Sequence, residues 1–294
     1  MKDTSEILSD FRRHLLGGSW AKSTVRHYLY EIRFFLRHVE KEPESCTQED
    51  IENYLADISL GVSREYQSST RQRKLAVLRV FFGYLAKKKL IQENLCDGLP
   101  SVKVPRKEQL YLSEEQVQQI FSALASDTTL SGKKSLAMTA MLYYLGIRVS
   151  ELATIDLNHL VDGNPPTITI YGKGGKVRIL PFNHQKLRDS LLPWRRFRQS
   201  FKGSTPALFI SLKSKKRLSV RTIQRRIRSL GTQAGLPVSL SPHMLRRSFA
   251  THLLNKGADL FTIASLMGHE NIEVTRLYAL TSPKKREEAL LLLP

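Results

Sequence analysis

Apolar and polar positions in the first hundred residues follow the period of an α-helix. Between Lys22 and Lys41 the apolar and aromatic residues recur at helical spacing, which predicts a helix with one buried face. Ser23 or Thr24 is the expected N-cap of this helix. The inward positions are Val25, Tyr28, Leu29, Ile32, Phe35, Leu36 and Val39.

Two further helices are predicted in the same region. Thr47-Gln-Glu-Asp50 is typical of a capping box and predicts a helix that runs through Ile58. Ser69 or Thr70 is expected to cap the next helix, which ends in Lys87-Lys88-Lys89, where basic charge suits the negative end of the helix dipole. No strand pattern interrupts these segments. Residues 1–98 are therefore predicted to form an all-α domain.

Residues 99–111 break the helical pattern, because they combine prolines with Lys and Arg. They are predicted to form an extended basic linker. A second domain is predicted over residues 112–294, beginning with a helix capped by Ser113 and followed by a buried apolar helix from Lys134 to Leu145. Later helical patterns cover residues 184–200, 219–234, 242–256 and 259–268.

A β-hairpin is the one clear strand signal. Residues 167–171 (TITIY) and 177–181 (VRILP) are β-rich, and the segment Gly172–Lys176 (GKGGK) joins them. The glycine-rich tip lacks the spacing of a nucleotide-binding P-loop and lies between two strands. The predicted fold class is mainly α: an N-terminal all-α domain followed by an α-rich domain with a small antiparallel sheet.

The charge of the chain predicts a polyanionic partner. The 294 residues hold 46 Lys+Arg and 27 Asp+Glu, which gives a formal net charge of +19. Most of this excess follows residue 110, and residues 201–250 contain no Asp or Glu. Nucleic acid is the leading candidate, with an anionic membrane surface as the rival.

Other features narrow the class of protein. No apolar run approaches the roughly 18 residues of a membrane-spanning helix, and the first residues lack the apolar core of a signal peptide. The cysteines Cys46 and Cys96 form neither a disulfide framework nor a zinc set. They are expected to be buried or surface thiols in a reducing cytosol, and the protein is expected to be cytoplasmic.

Four short stretches carry residues suited to chemistry. They are Leu145–Leu152 with Arg148, Tyr171–Lys176 with two lysines, His243–Arg246, and Met267–His269 followed by Tyr278. Each has an ordinary alternative. Arg148 can pair with Glu151 or hold a phosphate, the hairpin lysines can be solvated, and Tyr278 can be a core residue. Pro242 is expected to open a helix that presents His243 and Arg246 on one face of its first turn.

As a set, these residues suit attack on a phosphodiester without a metal ion. The set has no carboxylate pair and no nucleotide-binding loop, so neither a metal nor ATP is implied, and no cofactor is expected. Two guanidinium groups can neutralise the non-bridging oxygens of the transition state, and a tyrosine can be the covalent nucleophile. A histidine can handle the proton of the nucleophile, and a lysine can protonate the leaving sugar oxygen.

In this order the four stretches resemble the tyrosine recombinase (phage integrase) family, and the similarity is closest to its Xer-type and mobile-element members. The strongest segment runs from His243 to Asp259 and leads into Leu266-Met-Gly-His269 and Arg276-Leu-Tyr278. The resemblance covers nearly the whole chain. It implies that the protein is a site-specific recombinase that joins itself to DNA through a 3′-phosphotyrosine and exchanges strands through a Holliday junction.

The resemblance also implies residue roles. The catalytic set would be Arg148, Lys173, His243, Arg246, His269 and Tyr278, with Glu151 in support and Lys176 as the close competitor of Lys173. Two positions depart from the family pattern. Arg247 stands where a second histidine is frequent, and Met267 replaces the usual leucine of the Leu-Gly-His motif.

DNA contacts and subunit contacts are implied as well. The N-terminal domain resembles the core-binding domain of the family, and the expected DNA contacts are Thr24, Tyr28, Arg71, Arg73, Lys176, Arg221, Arg225 and Arg226. The four leucines near Pro294 are expected to lie in a tail that docks into a neighbouring subunit. The implied assembly is a homotetramer on two DNA duplexes, or a mixed tetramer with a related recombinase.

Two rival functions remain compatible with single motifs. One is an architectural DNA-binding protein without catalysis, and the other is strand relaxation of the type IB topoisomerase kind. The intact set of six residues disfavours the first, and the expected N-terminal domain and docking tail disfavour the second. Chromosome dimer resolution, phage integration, and transposon or plasmid resolution are all compatible with these motifs.

Overall fold

The computed structural model describes residues 3–60, 68–100, 110–201, 203 and 205–268. The chain divides into two units, Met1–Lys107 and Glu108–Pro294. Its described part is mainly helical, with one three-stranded antiparallel sheet, so the predicted fold class is confirmed. No described helix is long and apolar enough to cross a membrane.

Four helices build the described part of the first unit: α1 Thr4–Gly17, α2 Lys22–Val39, α3 Gln48–Leu60 and α4 Ser68–Lys87. The predicted inward positions of α2 lie in one apolar core, with Tyr28 and Val39 at its margin. The same core contains Leu75, Leu78, Phe81, Phe82 and Leu85 of α4. Aromatic rings fill its centre, where Phe35 and Phe82 meet edge to face at 5.9 Å between ring centroids. Cys46 and Cys96 are both buried free thiols.

The predicted helix starts of this unit were partly wrong. The N-cap of α2 is Ala21, not Ser23 or Thr24, and its carbonyl accepts from the Val25 N–H at 3.0 Å. Ser69 and Thr70 lie inside α4, which begins at Ser68. The apolar stripe fixes each helix against the core, and this packing outweighs the preference for a hydroxyl at the cap.

The capping box at the start of α3 is confirmed. The Thr47 N–H donates to Asp50 Oδ2 at 2.8 Å, and the Asp50 N–H donates to Thr47 Oγ1 at 3.3 Å. The two side chains thereby satisfy two of the backbone donors that the start of a helix leaves without intrahelical partners.

The second unit contains the other helices and the sheet. Its described helices are α5 Glu114–Ala125, α6 Leu130–Tyr144, α7 Val149–Thr154, α8 Gln185–Ser200, α9 Val220–Gln233, α10 Pro242–Asn255 and α11 Leu260–Met267. The predicted N-cap Ser113 is confirmed and forms a capping box with Gln116. Helix α6 is the predicted buried helix, and α8 to α11 match the helical patterns of the sequence.

The sheet has the order β1 Leu160–Val161, β2 Thr167–Tyr171, β3 Val177–Pro181. The hairpin is confirmed, whereas the sequence did not predict β1, which has only two residues. In the register, Ile168 faces Leu180 and Ile170 faces Arg178. Because side chains alternate between the two faces of a strand, Arg178 lies on the same face as the core residue Leu180.

Hydrogen bonds to Leu112 and to Tyr143 hold helix α10 in place. Pro242 is its first residue, as predicted, and Ser241 is its N-cap. Ser248 Oγ accepts from the Leu112 N–H at 2.8 Å, and His252 Nε2 lies 2.9 Å from the Leu112 carbonyl oxygen. His252 Nδ1 lies 2.8 Å from the Tyr143 hydroxyl. These contacts fix α10, which carries His243 and Arg246, against the rest of the unit.

Candidate active site

Arg148 lies at the start of α7, directly after the buried segment that follows α6. Its backbone N–H donates to Glu151 Oε2 at 2.7 Å, and its Nη1 donates to Glu151 Oε1 at 3.0 Å. Its Nη2 donates to the Gly268 carbonyl oxygen at 3.2 Å. The side chain is nevertheless 39% exposed. The pairing with Glu151 therefore holds Arg148 in place and leaves it accessible to an anion.

Arg246 comes to the same place from the first turns of α10. It is only 2% exposed. Its Nη1 donates to the Gly146 carbonyl oxygen at 2.6 Å, and its Nη2 donates to the Met267 carbonyl oxygen at 2.8 Å. Its Nη1 also lies 3.9 Å from Glu151 Oε2. Two arginines that are almost a hundred positions apart in sequence thus converge on one carboxylate.

Glu151 is the buried centre of this arrangement, with 3% of its surface exposed. Burial raises the pKa of its carboxyl group, but hydrogen bonds from Arg178 and from the Arg148 N–H outweigh burial and hold the pKa below its ordinary value. The carboxylate is therefore ionised at neutral pH. It balances part of the positive charge that the arginines bring into the interior.

Arg178 of β3 is a site residue that the sequence analysis missed. Its Nη1 and Nη2 donate to the two oxygens of Glu151 at 3.0 and 2.8 Å, and its Nε donates to the Leu266 carbonyl oxygen at 3.1 Å. The alternation of side chains between the two faces of β3 could have indicated this residue. A cation on the same strand face as Leu180 points into the core, where it needs a buried partner.

His243 stands one turn before Arg246 on α10 and keeps an exposed side. Partial desolvation lowers its pKa, and the guanidinium groups of Arg247, Arg246 and Arg148 lower it further. The imidazole is therefore neutral at neutral pH, and one ring nitrogen is an acceptor. This places a neutral proton acceptor beside three cations.

The hairpin tip carries the two candidate lysines. Lys173 opens a short 3-10 turn, Lys173–Gly175, and the Gly172 N–H donates to the Lys176 carbonyl oxygen at 2.7 Å to close the loop. The Lys176 side chain is exposed. A Cβ atom added at Gly172 would lie 3.7 Å from Glu151 Oε1, so the base of the tip approaches the carboxylate. The backbone thus brings the turn that begins at Lys173 next to the arginine cluster.

His269 and Tyr278 lie outside the described residues, which end at Gly268 in this part of the chain. Gly268 caps the end of α11 in the left-handed conformation, with φ of +64°. Its carbonyl oxygen and that of Met267 are the acceptors for Arg148 and Arg246. The two arginines therefore contact the two residues directly before His269.

Helix α9 presents the expected basic face of the second unit. Arg221 and Arg225 are exposed, while Arg226 is half-buried and its Nε donates to Ser135 Oγ at 2.8 Å. The opposite face, with Ile223 and Ile227, is buried in the core. Arg226 is thus partly a packing residue, whereas Arg221 and Arg225 are open to a polyanion.

The candidate DNA contacts of the first unit differ in exposure. Thr24 and Tyr28 are half-buried on α2, and the Tyr28 ring packs against Trp20 at 5.2 Å between centroids. On α4, Arg73 is exposed and Arg71 is half-buried. The buried Nε of Arg71 has no hydrogen-bond partner in the part of the chain that the structure describes.

A metal site is not evident in the described ranges. No three His, Cys, Asp or Glu side chains come together there in a group that could hold a metal ion. The groups that do converge are the cations around Glu151, and they suit an anionic ligand.

The sequence of the chain matches two family models of known proteins. Residues 111–285 match the phage integrase family, and residues 7–92 match its N-terminal SAM-like domain. The chain belongs to the phage integrase family. It is a tyrosine recombinase, a site-specific recombinase that cleaves and rejoins DNA.

Individual relatives support the family membership. A tyrosine recombinase XerC from Actinobacillus succinogenes is 32% identical over 258 residues, which cover 85% of each chain. The crystal structure of a XerA recombinase is 26% identical, with a TM-score of 0.56 and 99% of each chain covered. A XerH site-specific recombinase bound to a palindromic difH substrate shares the fold, with a TM-score of 0.78 at 19% identity over 99% of this chain and 84% of that one.

Proposed function

We propose that this tyrosine recombinase cleaves one DNA strand by attack of Tyr278 on the scissile phosphate. The new bond joins the tyrosine oxygen to phosphorus, and the bond from phosphorus to the 5′ oxygen breaks. The products are a 3′-phosphotyrosine and a free 5′ hydroxyl, which can later attack in reverse to rejoin a strand. The observation that carries the proposal is the convergence of Arg148 and Arg246 on the buried carboxylate of Glu151.

The two arginines are assigned to the non-bridging oxygens of the phosphate. Each Nη nitrogen of Arg148 carries two N–H groups and has one described acceptor, Glu151 or Gly268. The remaining N–H groups can donate to an oxygen of the pentacovalent transition state. Arg246 adds a second fixed positive charge that needs no reorganisation during the reaction.

Proton transfer is assigned to the residues around the arginines. Neutral His243 accepts the tyrosine proton, directly or through His269, because its pKa lies below the ordinary value. Lys173 gives its proton to the leaving 5′ oxygen, with Lys176 as the alternative donor. The proton that leaves the nucleophile and the proton that reaches the leaving group balance, so the step needs neither a metal ion nor ATP.

The proposed partner is double-stranded DNA that carries a specific recombination site. The formal net charge of +19 and the exposed Arg221 and Arg225 on α9 support a polyanionic ligand. Residues 1–98 are assigned to core binding, residues 99–111 to a basic linker, and residues 112–294 to catalysis. We place the reaction in the bacterial cytoplasm, at the nucleoid.

The proposed assembly is a tetramer on two DNA duplexes that exchanges strands through a Holliday junction. Either four copies of this chain or a mixture with a related recombinase forms it, and the tail of residues 283–294 docks into the neighbouring subunit. Deletion of residues 287–294 is expected to leave DNA binding intact and to abolish recombination between two sites. Unchanged recombination by the truncated enzyme would refute the tail exchange.

Covalent capture tests the proposed chemistry. A library of duplexes with a randomised core and a nick near the centre is incubated with the wild type in EDTA without ATP. DNA linked to protein is recovered from a denaturing gel and sequenced. Wild type is expected to give an adduct on a defined site, and Tyr278→Phe is expected to bind that site without an adduct. Adducts with both proteins, or binding without an adduct in either, would contradict the proposal.

A further inference from the structure

Arg178 connects three parts of the active site through one guanidinium group. All three of its nitrogens donate within the protein: Nη1 and Nη2 to Glu151, and Nε to the Leu266 carbonyl oxygen. The side chain is only 15% exposed. Its contacts are therefore with the groups that hold the site together.

We propose that Arg178 is a positioning residue of the cleavage reaction. It fixes the hairpin that carries Lys173 relative to Arg148 and Arg246, and it does so through Glu151. The inference rests on the proposed function, because it takes Lys173 as the proton donor to the leaving group.

The hairpin side of the connection is short. Arg178 faces Ile170 in the β2–β3 register, two positions before Gly172. A Cβ atom at Gly172 would lie 3.7 Å from Glu151 Oε1 and 3.9 Å from Arg178 Nη1, so this residue lies directly against the ion pair. Lys173 is the next residue. The contact between Gly172 and the Glu151–Arg178 pair therefore positions the backbone of Lys173.

The opposite side of the connection is the end of α11. Its Leu266 carbonyl oxygen accepts from Arg178 Nε at 3.1 Å. A Cβ atom at Gly268 would come within 2.9 Å of Arg178 Nη1, so the chain closes over the guanidinium where only glycine fits. The same Gly268 offers its carbonyl oxygen to Arg148. One side chain thus sets the separation between the hairpin, the carboxylate and the segment that leads to His269.

A lysine at this position cannot replace the arginine. It keeps the positive charge beside Glu151, but its ammonium is a point charge without the planar fork that grips two carboxylate oxygens and a carbonyl at once. The Glu151 carboxylate stays paired with Arg148, so the fold is retained. The hairpin, however, is no longer held at a fixed distance from Glu151. A misplacement of about 1 Å costs on the order of 100-fold in rate.

Arg195 supplies a matched control outside the site. It also donates to both oxygens of a carboxylate, Asp162, at 2.5 and 2.9 Å, and to one carbonyl oxygen, that of Leu160, at 3.5 Å. Arg195→Lys therefore removes a contact of the same geometry, to a more exposed carboxylate, from the same unit without touching the site. A stability change common to both variants reports structure, and a rate change specific to Arg178→Lys reports positioning.

The test compares two forms of the captured recombination site. One has the ordinary phosphodiester, and the other has sulfur in place of the leaving 5′ oxygen. A thiolate leaves without protonation because the pKa of a thiol is about 8.5, far below that of an alcohol. Single-turnover cleavage, DNA affinity and the urea midpoint are measured for wild type, Arg178→Lys and Arg195→Lys, with Arg178→Gln as a second variant in case the first does not fold.

On the ordinary site, Arg178→Lys is expected to cleave about 100-fold more slowly than Arg195→Lys at similar DNA affinity. On the sulfur site, its rate is expected to return to within about 10-fold of the wild type, because a displaced proton donor no longer matters. Equal rates for the two variants, or a loss on both substrates, would overturn the inference. Failure of the wild type to form any adduct would instead overturn the proposed function.

Discussion

Arg246 Nη2 donates to the carbonyl oxygen of Met267 across 2.8 Å. This hydrogen bond ties the buried arginine of α10 to the last turn of α11, two residues before His269. The arginine that we assign to the scissile phosphate therefore also holds the end of α11.

Arg246→Lys is expected to lower the single-turnover cleavage rate by about 10²- to 10³-fold, the usual cost of one lost transition-state donor. DNA affinity is expected to change little, because other cations hold the phosphate backbone. A quenched-flow assay at saturating enzyme measures the rate, and fluorescence anisotropy measures affinity.

Arg198→Lys is the control for that substitution. Arg198 is equally buried. It donates hydrogen bonds to the carbonyl oxygens of Thr205 and Ala207, which are not among the described contacts of the site. Its replacement is expected to lower the free energy of unfolding but to leave the cleavage rate close to that of wild type. Similar rate losses in both variants would show that packing, and not the phosphate, explains the effect at Arg246.

The pH dependence of cleavage is expected to follow His243. Its pKa is lowered by desolvation and by Arg247, so the neutral acceptor form prevails at neutral pH, and cleavage falls only on the acid side of the ordinary histidine value. Arg247→Gln removes a nearby cation, which stabilises the protonated ring. The acid limb of the rate profile is expected to move to higher pH. Arg188→Gln removes an exposed arginine as a control and is expected to leave the acid limb where it is. If Arg247→Gln also left the limb in place, His243 would be excluded as the titrating group.

Glu151→Gln is expected to destabilise the fold at pH 7 by about 3–5 kcal/mol, because it leaves buried arginines without their counter-charge. The pKa of Glu151 is lowered in the fold, so its contribution is complete above its unfolded pKa and is lost as pH falls through the folded value. The gap between wild type and variant in urea unfolding should therefore narrow in acid. Glu114→Gln removes one partner of an exposed ion pair with Lys256 and is expected to cost no more than about 1 kcal/mol. An equal cost for the two substitutions would contradict the assigned role of Glu151.

Gly268→Ala and Gly257→Ala separate backbone strain from damage to the site. Both glycines have positive φ, +64° and +92°, so alanine is expected to cost about 1–3 kcal/mol at either position. Only a Cβ at position 268 meets Arg178, whereas one at position 257 has no described atom within 4 Å. Cleavage is expected to fall in Gly268→Ala alone. Comparable activity in the two variants at equal stability would argue against a tight contact between Gly268 and the arginines.

Long, periodic segments and strong caps were predictable from the sequence. The hairpin strands at 167–171 and 177–181, the capping box at Thr47 and the N-cap at Ser113 appear in the structure as predicted. Short elements were not: β1 has two residues and α7 has six, too few to show a period. The N-cap of α2 was predicted wrongly because core packing outweighed the capping preference of Ser23 and Thr24.

The site residues that belong to a sequence motif were predictable. A residue that reaches the site only through the packing of the fold was not. The sequence pointed to Arg148, Glu151 and Arg246, and the structure brings them together. Arg178 belongs to no motif in that analysis, and its partners Glu151 and Leu266 lie 27 and 88 positions away. Only the folded sheet brings these groups into contact, so local spacing could not reveal the pair.

The identity of the DNA-linked residue tests the central claim most directly. The wild-type adduct on its captured site is digested with trypsin and nuclease, and the peptide that retains a nucleotide is sequenced by mass spectrometry. The account predicts Leu277–Lys284 with the nucleotide on Tyr278, joined through a 3′ phosphate. A nucleotide on any other tyrosine of the chain, or a 5′ phosphate linkage, would contradict it.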